Sequence, residues 1–475
     1  MKRSLLVLTP LACTLVLAIA SVSAAADARL VEAAKRQDKA AVQRLLQGKA
    51  DVNSALPDGT TALHWAANRN DLTVAGLLLK AGAKVDAAND YGVTPLSLAA
   101  SNGSADLLDL LLKAGANPNL ALPTGESPLM SASRSGSVAA VKTLLDHKAD
   151  PNLAEPEMGQ TALMWALSEN HVPVAQALVE RGAQVNARSK SGFTPLMFAT
   201  RRGNLDAVKF LLGKGAGLND TATDGVSVLM VAVLRGHATL AEFLLEAGAD
   251  PNIDKAGYTA LHWAAGKWES GMTHDYPNSN EAEWRYLIGV PDGKIRLIKS
   301  LLKHGAKVDA VLAKRPPRYG INLFNSVRVD GATPFWLASL SADVEVMKLL
   351  IEAGADPKVK NKDDVTALMA AAGLGRVPGD SLITDDESVA ACAYLLGLGA
   401  DVNAVAKSGD TALHGTAYYG NEKTAVLLVE KGADMAIKNR KGETAVKVAD
   451  GYQANAMVLA RPEVAAALRK LGAKD

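Results

Sequence analysis

Residues 92–119 read Gly-Val-Thr-Pro-Leu-Ser-Leu-Ala-Ala-Ser-Asn-Gly-Ser-Ala-Asp-Leu-Leu-Asp-Leu-Leu-Leu-Lys-Ala-Gly-Ala-Asn-Pro-Asn. Thr94 can cap a helix with its hydroxyl, and Pro95 suits the first helical position, where no backbone donor is needed. Leu96, Ala99 and Ala100 then form a narrow apolar face. Its alanines let a second helix approach closely. Asn102-Gly103 turns the chain into that second helix, whose Leu108, Leu111 and Leu112 face inward. Gly115 ends it, because glycine adopts positive φ freely. Asn117-Pro118-Asn119 leads through an extended β-turn to the next unit. A helix pair of this size cannot bury both faces alone, so copies must stack.

Copies are present along the whole chain. The glycine before each Thr-x-Leu block recurs at 59, 92, 125, 159, 192, 225 and 257, a step of 32 to 34 residues. The series resumes at Gly331, at Asp364 in place of glycine, and at Gly409 and Gly442. The repeated words are Thr61-Ala62-Leu63-His64-Trp65-Ala66-Ala67, Thr94-Pro95-Leu96, Thr194-Pro195-Leu196 and Thr259-Ala260-Leu261-His262-Trp263-Ala264-Ala265. Each is followed by a Leu-Leu-x-x-Gly-Ala word, as at 78–83 and 244–249, and then by Asp-Val-Asn or Asp-Pro-Asn.

These residues resemble the ankyrin repeat from about residue 28 to 475. The resemblance implies an all-α solenoid of about ten full repeats (58–440), with an N-terminal cap (28–57), a C-terminal cap (441–475) and short β-turn fingers. The Thr-Pro-Leu-His word is complete in no repeat, and Ser227-Val228-Leu229-Met230 is its most degraded copy. Lys447 and a second helix starting at Pro462 mark the altered last unit. The resemblance further implies a protein-binding scaffold that rarely carries catalysis. His64, His262 and His414 stand at the histidine of the family word, where imidazole bonds neighbouring turn backbone. Trp65, Trp165, Trp263 and Phe198 share one helix position, a stripe expected to pack between repeats.

Composition fits this reading. Hydrophobic residues make up 48% of the 475, ample for a folded core, while aromatics are only 4%, low for a large enzyme with deep pockets. The formal charge is +1, and removal of Lys2 and Arg3 would leave a single net negative charge. A global field for nucleic acid is excluded, so no nucleic-acid partner is expected. Two cysteines, Cys13 and Cys392, exclude a disulfide framework and a cysteine-rich metal site.

The N-terminus reads as an export signal. Lys2 and Arg3 precede an apolar stretch of about 17 residues, short for a membrane span. Small residues from Ser21 to Ala26 then offer a cleavage site after Ala24 or Ala26. Residues 1–24 are therefore expected to be removed, leaving no stable membrane span and a protein acting in the periplasm or outside the cell. The style of leader resembles that of exported bacterial envelope ankyrin proteins. Cys392, in an expected helix over 388–396, is then the one remaining thiol, buried and unpaired.

The repeat spacing breaks in three places. Gly257 to Gly305 is 48 residues against 23 for Gly92 to Gly115, so 25 are extra, within about 267–292 of repeat seven. This stretch holds Lys267, Trp268, Tyr276, Trp284 and Tyr286. The following finger carries 16 extra residues at about 312–328, with Arg315, Arg318 and Tyr319. Repeat nine carries 12 more at about 375–387, including Arg376 and Asp385-Asp386-Glu387. Insertions in consecutive repeats map to one face, and aromatics with arginine nearby suit interface hot spots.

A second feature lies at the end of each first helix. Arg69, Arg134, Arg201, Arg202 and Arg235, followed by Lys267, predict a basic inner strip, interrupted by Glu169 and ending in Tyr418-Tyr419 at repeat ten. Such a strip would receive an acidic protein segment or an anionic polymer. The expected function is thus a monomeric, non-catalytic scaffold for a protein partner, with no cofactor and no metal. An exported effector acting on a host or competitor protein, and an accessory subunit of an envelope enzyme built around His274, Asp275, Glu281 and Glu283, are the alternatives. No Gly-rich phosphate loop and no nucleophile beside a base support the enzymatic one.

Overall fold

The computed structural model describes residues 29–266, 293–314, 329–376, 383–454 and 457–474. They divide into two compact units, cut between Ala216 and Gly217. The first unit opens with a capping pair, helices 29–35 and Lys39–Gln47. Five pairs follow in regular succession, from Ala62–Asn68 and Leu72–Lys80 to Pro195–Arg201 and Leu205–Gly213. The second unit holds five more pairs, from Val228–Leu234 and Ala238–Glu246 to Ala412–Tyr419 and Glu422–Glu430. It closes with Ala445–Asp450 and Pro462–Lys470. Isolated bridges at Ala55–Thr61, Ala154–Thr161 and Thr221–Ser227 close the bases of three fingers.

The second pair shows why these residues take this form. The hydroxyl of Thr94 accepts from the Ser97 amide at 3.1 Å, the Ser97 hydroxyl accepts from the Thr94 amide at 3.0 Å, and Pro95 follows at the first helical position. Leu96, Ala99 and Ala100 are buried, as are Leu107, Leu108, Leu111 and Leu112 of helix Ala105–Lys113. Gly115 takes φ +94°, so its amide reaches Leu112 O while Ala116 N reaches Leu111 O, closing the orphan carbonyls of the helix end. Asp364 adopts the same left-handed region at φ +58° where the other repeats use glycine.

Polar side chains fix each repeat to the next. Nδ1 of His64 accepts from the Thr61 amide at 3.1 Å, which makes Nε2 the protonated nitrogen, and that N–H donates to Val93 O of the following repeat at 2.9 Å. His414 bonds Glu443 O in the same way at 3.0 Å. In repeat eight the position belongs to Trp336, whose indole N–H donates to Val365 O at 2.9 Å. The asparagine of the Asp-x-Asn word makes a second tie. Asn152 donates to Gly182 O and accepts from Gln184 N, at 3.1 and 2.8 Å. Asn252 makes the same pair of bonds with Gly305 and Lys307, both at 2.8 Å, across the interruption of repeat seven.

The interruptions leave and re-enter the framework at closed bases. Lys294 Nζ reaches Gly266 O at 3.5 Å and Asp343 Oδ2 at 2.8 Å, so the Lys294 side chain links the chain on either side of residues 267–292. At the long finger, Leu312 N donates to Ala332 O and Gly331 N to Leu312 O, at 2.9 and 2.8 Å. Part of the third interruption, expected within about 375–387, is regular structure. Gly375 and Arg376 belong to an ordered turn, and Asp385–Glu387 form the first turn of a 13-residue helix, Asp385–Gly397. The cause is a capping box: Thr384 N donates to Glu387 Oε2 at 2.7 Å, and Glu387 N to Thr384 Oγ1 at 3.2 Å. The all-α expectation also needs one addition. Between the last two helices, Tyr452–Ala454 and Met457–Leu459 pair as an antiparallel hairpin.

Joining Gly266 to Gly293 through a two-residue turn should raise unfolding free energy by about 2 kcal/mol, because nearly four halvings of the loop each return about 0.6 kcal/mol of closure entropy; urea titration checks this. Burial holds His262 down at about 4. The unfolded chain therefore binds a proton that the folded chain refuses between about pH 6.5 and 4, and stability falls through that window by about 3 kcal/mol as pH is lowered. His262→Gln should flatten the pH dependence of the thermal midpoint there.

Candidate functional site

The open part of the first unit lies along its first helices, four residues after each capping Thr or Ser. Trp65, Leu98 and Trp165 are half-buried at this position, and Ser131 and Phe198 are buried. Phe198 is held by an edge-to-face contact with Phe193, ring centroids 5.9 Å apart. The tryptophans instead carry cations. Lys35 Nζ lies 5.0 Å and the Arg69 guanidinium 5.9 Å from the Trp65 ring centre. The Arg134 guanidinium lies 5.0 Å from that of Trp165. The expected packing stripe therefore holds for Phe198 and Trp263, while Trp65 and Trp165 keep part of their surface.

Around Trp165 the wall becomes a cleft of about 230 Å³, lined by Arg134, Gln160, Trp165, Ser168 and Glu169. Arg134 Nη2 donates to Glu126 Oε1 at 2.8 Å, and the same oxygen accepts from Ser131 Oγ at 2.7 Å. Glu126 is thus a fixed strut from the finger that orients the arginine. Arg201 stacks on Phe198 at 5.2 Å and donates to Ser168 Oγ at 3.3 Å. Arg202 stands 4.0 Å from Glu169. Of the arginines of the expected basic strip, Arg134 is paired with Glu126 and Arg202 lies near Glu169, so their charge is partly matched.

In the second unit the same helix position is filled. Val231, Trp263, Leu337 and Ala370 are all buried, and a methyl group on Gly415 would stand 2.9 Å from Leu374 N. Arg235 is half-buried at the end of helix Val228–Leu234. Tyr418 is tied inward: its hydroxyl donates to Asp410 Oδ1 at 3.2 Å, and its ring packs edge-on against Tyr452 at 4.8 Å. Tyr419 donates to Ile383 O at 3.2 Å. Both tyrosines serve the packing of repeats nine, ten and the cap. Lys267, Trp268, Tyr276, Trp284, Tyr286, Arg315, Arg318 and Tyr319 lie outside the described residues, as do His274, Asp275, Glu281 and Glu283.

Two functional-looking groups of the third interruption are structural ties. Arg376 is buried, donates from Nε to Leu340 O at 2.8 Å and from Nη1 to Ser388 Oγ at 2.7 Å, and covers the Tyr419 ring at 5.5 Å. Loss of hydration lowers its guanidinium to about 10, still charged at neutral pH. Asp385 caps the second helix of repeat ten, accepting from Lys423 N and Thr424 Oγ1, both at 2.7 Å. Cys392 is fully buried, and burial pushes its thiol up to about 12. Among the described residues, no three His, Cys, Asp or Glu side chains gather as metal ligands, and no helix is long and apolar enough to cross a membrane.

Comparison with known families agrees with the framework. A profile for ankyrin repeats in three copies matches residues 30–121, 98–189, 129–222 and 196–271. A single ankyrin repeat profile matches residues 330–362 and 408–440. The chain is an ankyrin repeat protein. The unmatched stretches 272–329 and 363–407 contain most of the first interruption and all of the other two. The chain is similar to a probable 26S proteasome regulatory subunit p28 of Saccharomyces cerevisiae, 29% identical over 211 residues that cover 41% of this chain and 80% of the relative. It is also similar to human SH3 and multiple ankyrin repeat domains protein 2, 30% identical over 180 residues, 33% of this chain and 9% of that protein. Among solved structures, the ankyrin repeat domain of Bcl-3 aligns at 31% identity and a TM-score of 0.40, over 43% of this chain and 93% of that one. The yeast and human relatives are both eukaryotic. Ankyrin repeats are protein-interaction units and generally non-catalytic, so the residues that matter are those the framework leaves free.

The role of Asp385 is directly testable. Asp385→Ala removes the acceptor for two amides and a hydroxyl at a helix start, a loss of about 1–2 kcal/mol. Hydrogen exchange should quicken at Lys423 and Thr424 while the amides of the first unit keep their protection.

Proposed function

We propose that the protein is a non-catalytic scaffold that acts after export, in the periplasm, where it binds a protein partner through its inner groove and the interruptions of repeats seven to nine. The observation that carries the reading is the stack of ankyrin pairs itself. In the first unit the stack presents a wall of side chains whose variable positions hold aromatic rings with arginines placed on them. Such rings and guanidinium groups supply much of the binding energy in protein interfaces. Export is supported by the basic, apolar and small-residue run of residues 1–26.

Expression of the full chain in a Gram-negative host should yield a product that begins at Ala25 or Asp27 in the osmotic-shock fraction, read by intact mass. An uncleaved product in the cytosol would overturn export. The mature chain, immobilised beside a variant in which Gly266 and Gly293 are joined by a short turn, should retain one protein from envelope extract. Loss of that protein with the variant places the contact at the first interruption; retention by both baits places it on the groove. Capture of nothing above an unrelated ankyrin array would count against the scaffold reading.

A further inference from the structure

The first unit leaves three of five positions partly open on a line that the second unit fills; Ser131 and Phe198 are its buried members. Trp65, Leu98 and Trp165 are half-buried at the register where Val231, Trp263, Leu337 and Ala370 are closed over. The cations of the first unit lie beside this line. We propose that it receives an extended acidic segment of a partner protein, with apolar side chains at every third residue, one of them entering the cleft at Trp165. This deepens the scaffold reading and rests on it.

Spacing sets the period. Stacked helices lie about 8–10 Å apart, and an extended chain advances about 3.3 Å per residue, so each repeat is passed in about three residues. Trp65 and Trp165 stand three repeats apart, which an extended segment of about nine residues would span. The size of the cleft sets the content. At about 230 Å³ it lies below the range of small-molecule sites and suits one large side chain.

Charge sets the sign. Arg69 and Arg202 cap the ends of their first helices, and Arg134 lies in the last turn of its own. Among the described residues Arg69 forms no ion pair; its guanidinium rests against the Trp65 ring instead. Arg134 engages Glu126 through Nη2, which leaves further donors of its planar fork for a second carboxylate. Because Glu126 already holds that guanidinium over Trp165, little side-chain freedom is lost on binding. Glu169, at the end of the helix that carries Trp165, also lines the cleft; it disfavours a carboxylate beside it and so sets which partner residue faces Arg134.

The test uses the mature chain and three labelled twelve-residue peptides: Phe-Glu-Gly repeated four times, the same with Lys for Glu, and the Glu peptide with its residues shuffled. Fluorescence anisotropy should show the first binding about tenfold tighter than either other, more weakly as salt rises. Arg134→Gln and Trp165→Ala should each weaken it about fivefold or more, with circular dichroism and thermal midpoint confirming the fold. Arg134→Lys should restore only part of the loss. Joining Gly266 to Gly293 should leave it unchanged. Equal binding of the Glu and Lys peptides, or wild-type binding by both variants, overturns the proposal. So does equal competition by polyglutamate, which would make the line a reader of anionic charge alone. A captured envelope protein that survives both variants but is lost with the first interruption would overturn this inference and leave the scaffold reading standing.

Discussion

Three repeats are fixed, through the third residue of the first helix, by a carbonyl supplied by the repeat after them. The acceptors are Val93 for His64, Val365 for Trp336 and Glu443 for His414, each just before the capping threonine of its own first helix. That placement matters because the threonine cap, the helix start and the inter-repeat bond are then set by adjacent atoms. A shift of one repeat against its neighbour would break all three. The asparagine ties at the fingers repeat the constraint at the other end of the unit. Since a pair of short helices has little stability of its own, these ties and the buried Leu/Ala faces together make the stack cooperative.

This constraint also explains why long interruptions are tolerated. Asn252 reaches Gly305 across 53 residues with the geometry that Asn152 reaches Gly182 across 30. The framework bonds are indifferent to the residues that lie between, provided the chain returns to the same place. Lys294 bridging Gly266 and Asp343 is the local device that brings it back. The closure entropy of a longer loop rises only slowly with length, so the cost of the excursion is modest.

Much of the fold is legible in residues. The glycine period gives the count of pairs, Leu96 to Leu112 give the two buried faces, and the shift at Pro462 gives the altered cap. The illegible part is chemistry that substitutes one group for another. Trp336 replaces a histidine because an indole N–H can point at the same carbonyl, and no motif search for histidine finds it. Thr384-Asp385-Asp386-Glu387 is a readable capping box, yet its place inside an interruption hides it, and the acidic run looks like a surface patch. Arg376 and Tyr418-Tyr419 resemble binding residues for the same reason: charged and aromatic groups at an inner edge serve packing as readily as recognition.

The framework determines where recognition can be written. Its bonds use the capping residue, the third helical residue and the finger asparagine. Only the fourth helical position and the residues at the helix end are released from it. In the second unit packing occupies the fourth position, to the point that Gly415 has no room for a side chain. In the first unit the same position carries Trp65, Leu98 and Trp165, and the helix ends carry Arg69, Arg134 and Arg202. A guanidinium resting on an indole is shielded on one face and open at its edge, and Glu126 keeps Arg134 in that pose without consuming all its donors. The difference between the two units at this register is therefore the partial exposure of Trp65, Leu98 and Trp165, which Ser131 and Phe198 do not share, and that exposure separates a wall that only packs from one that can also bind.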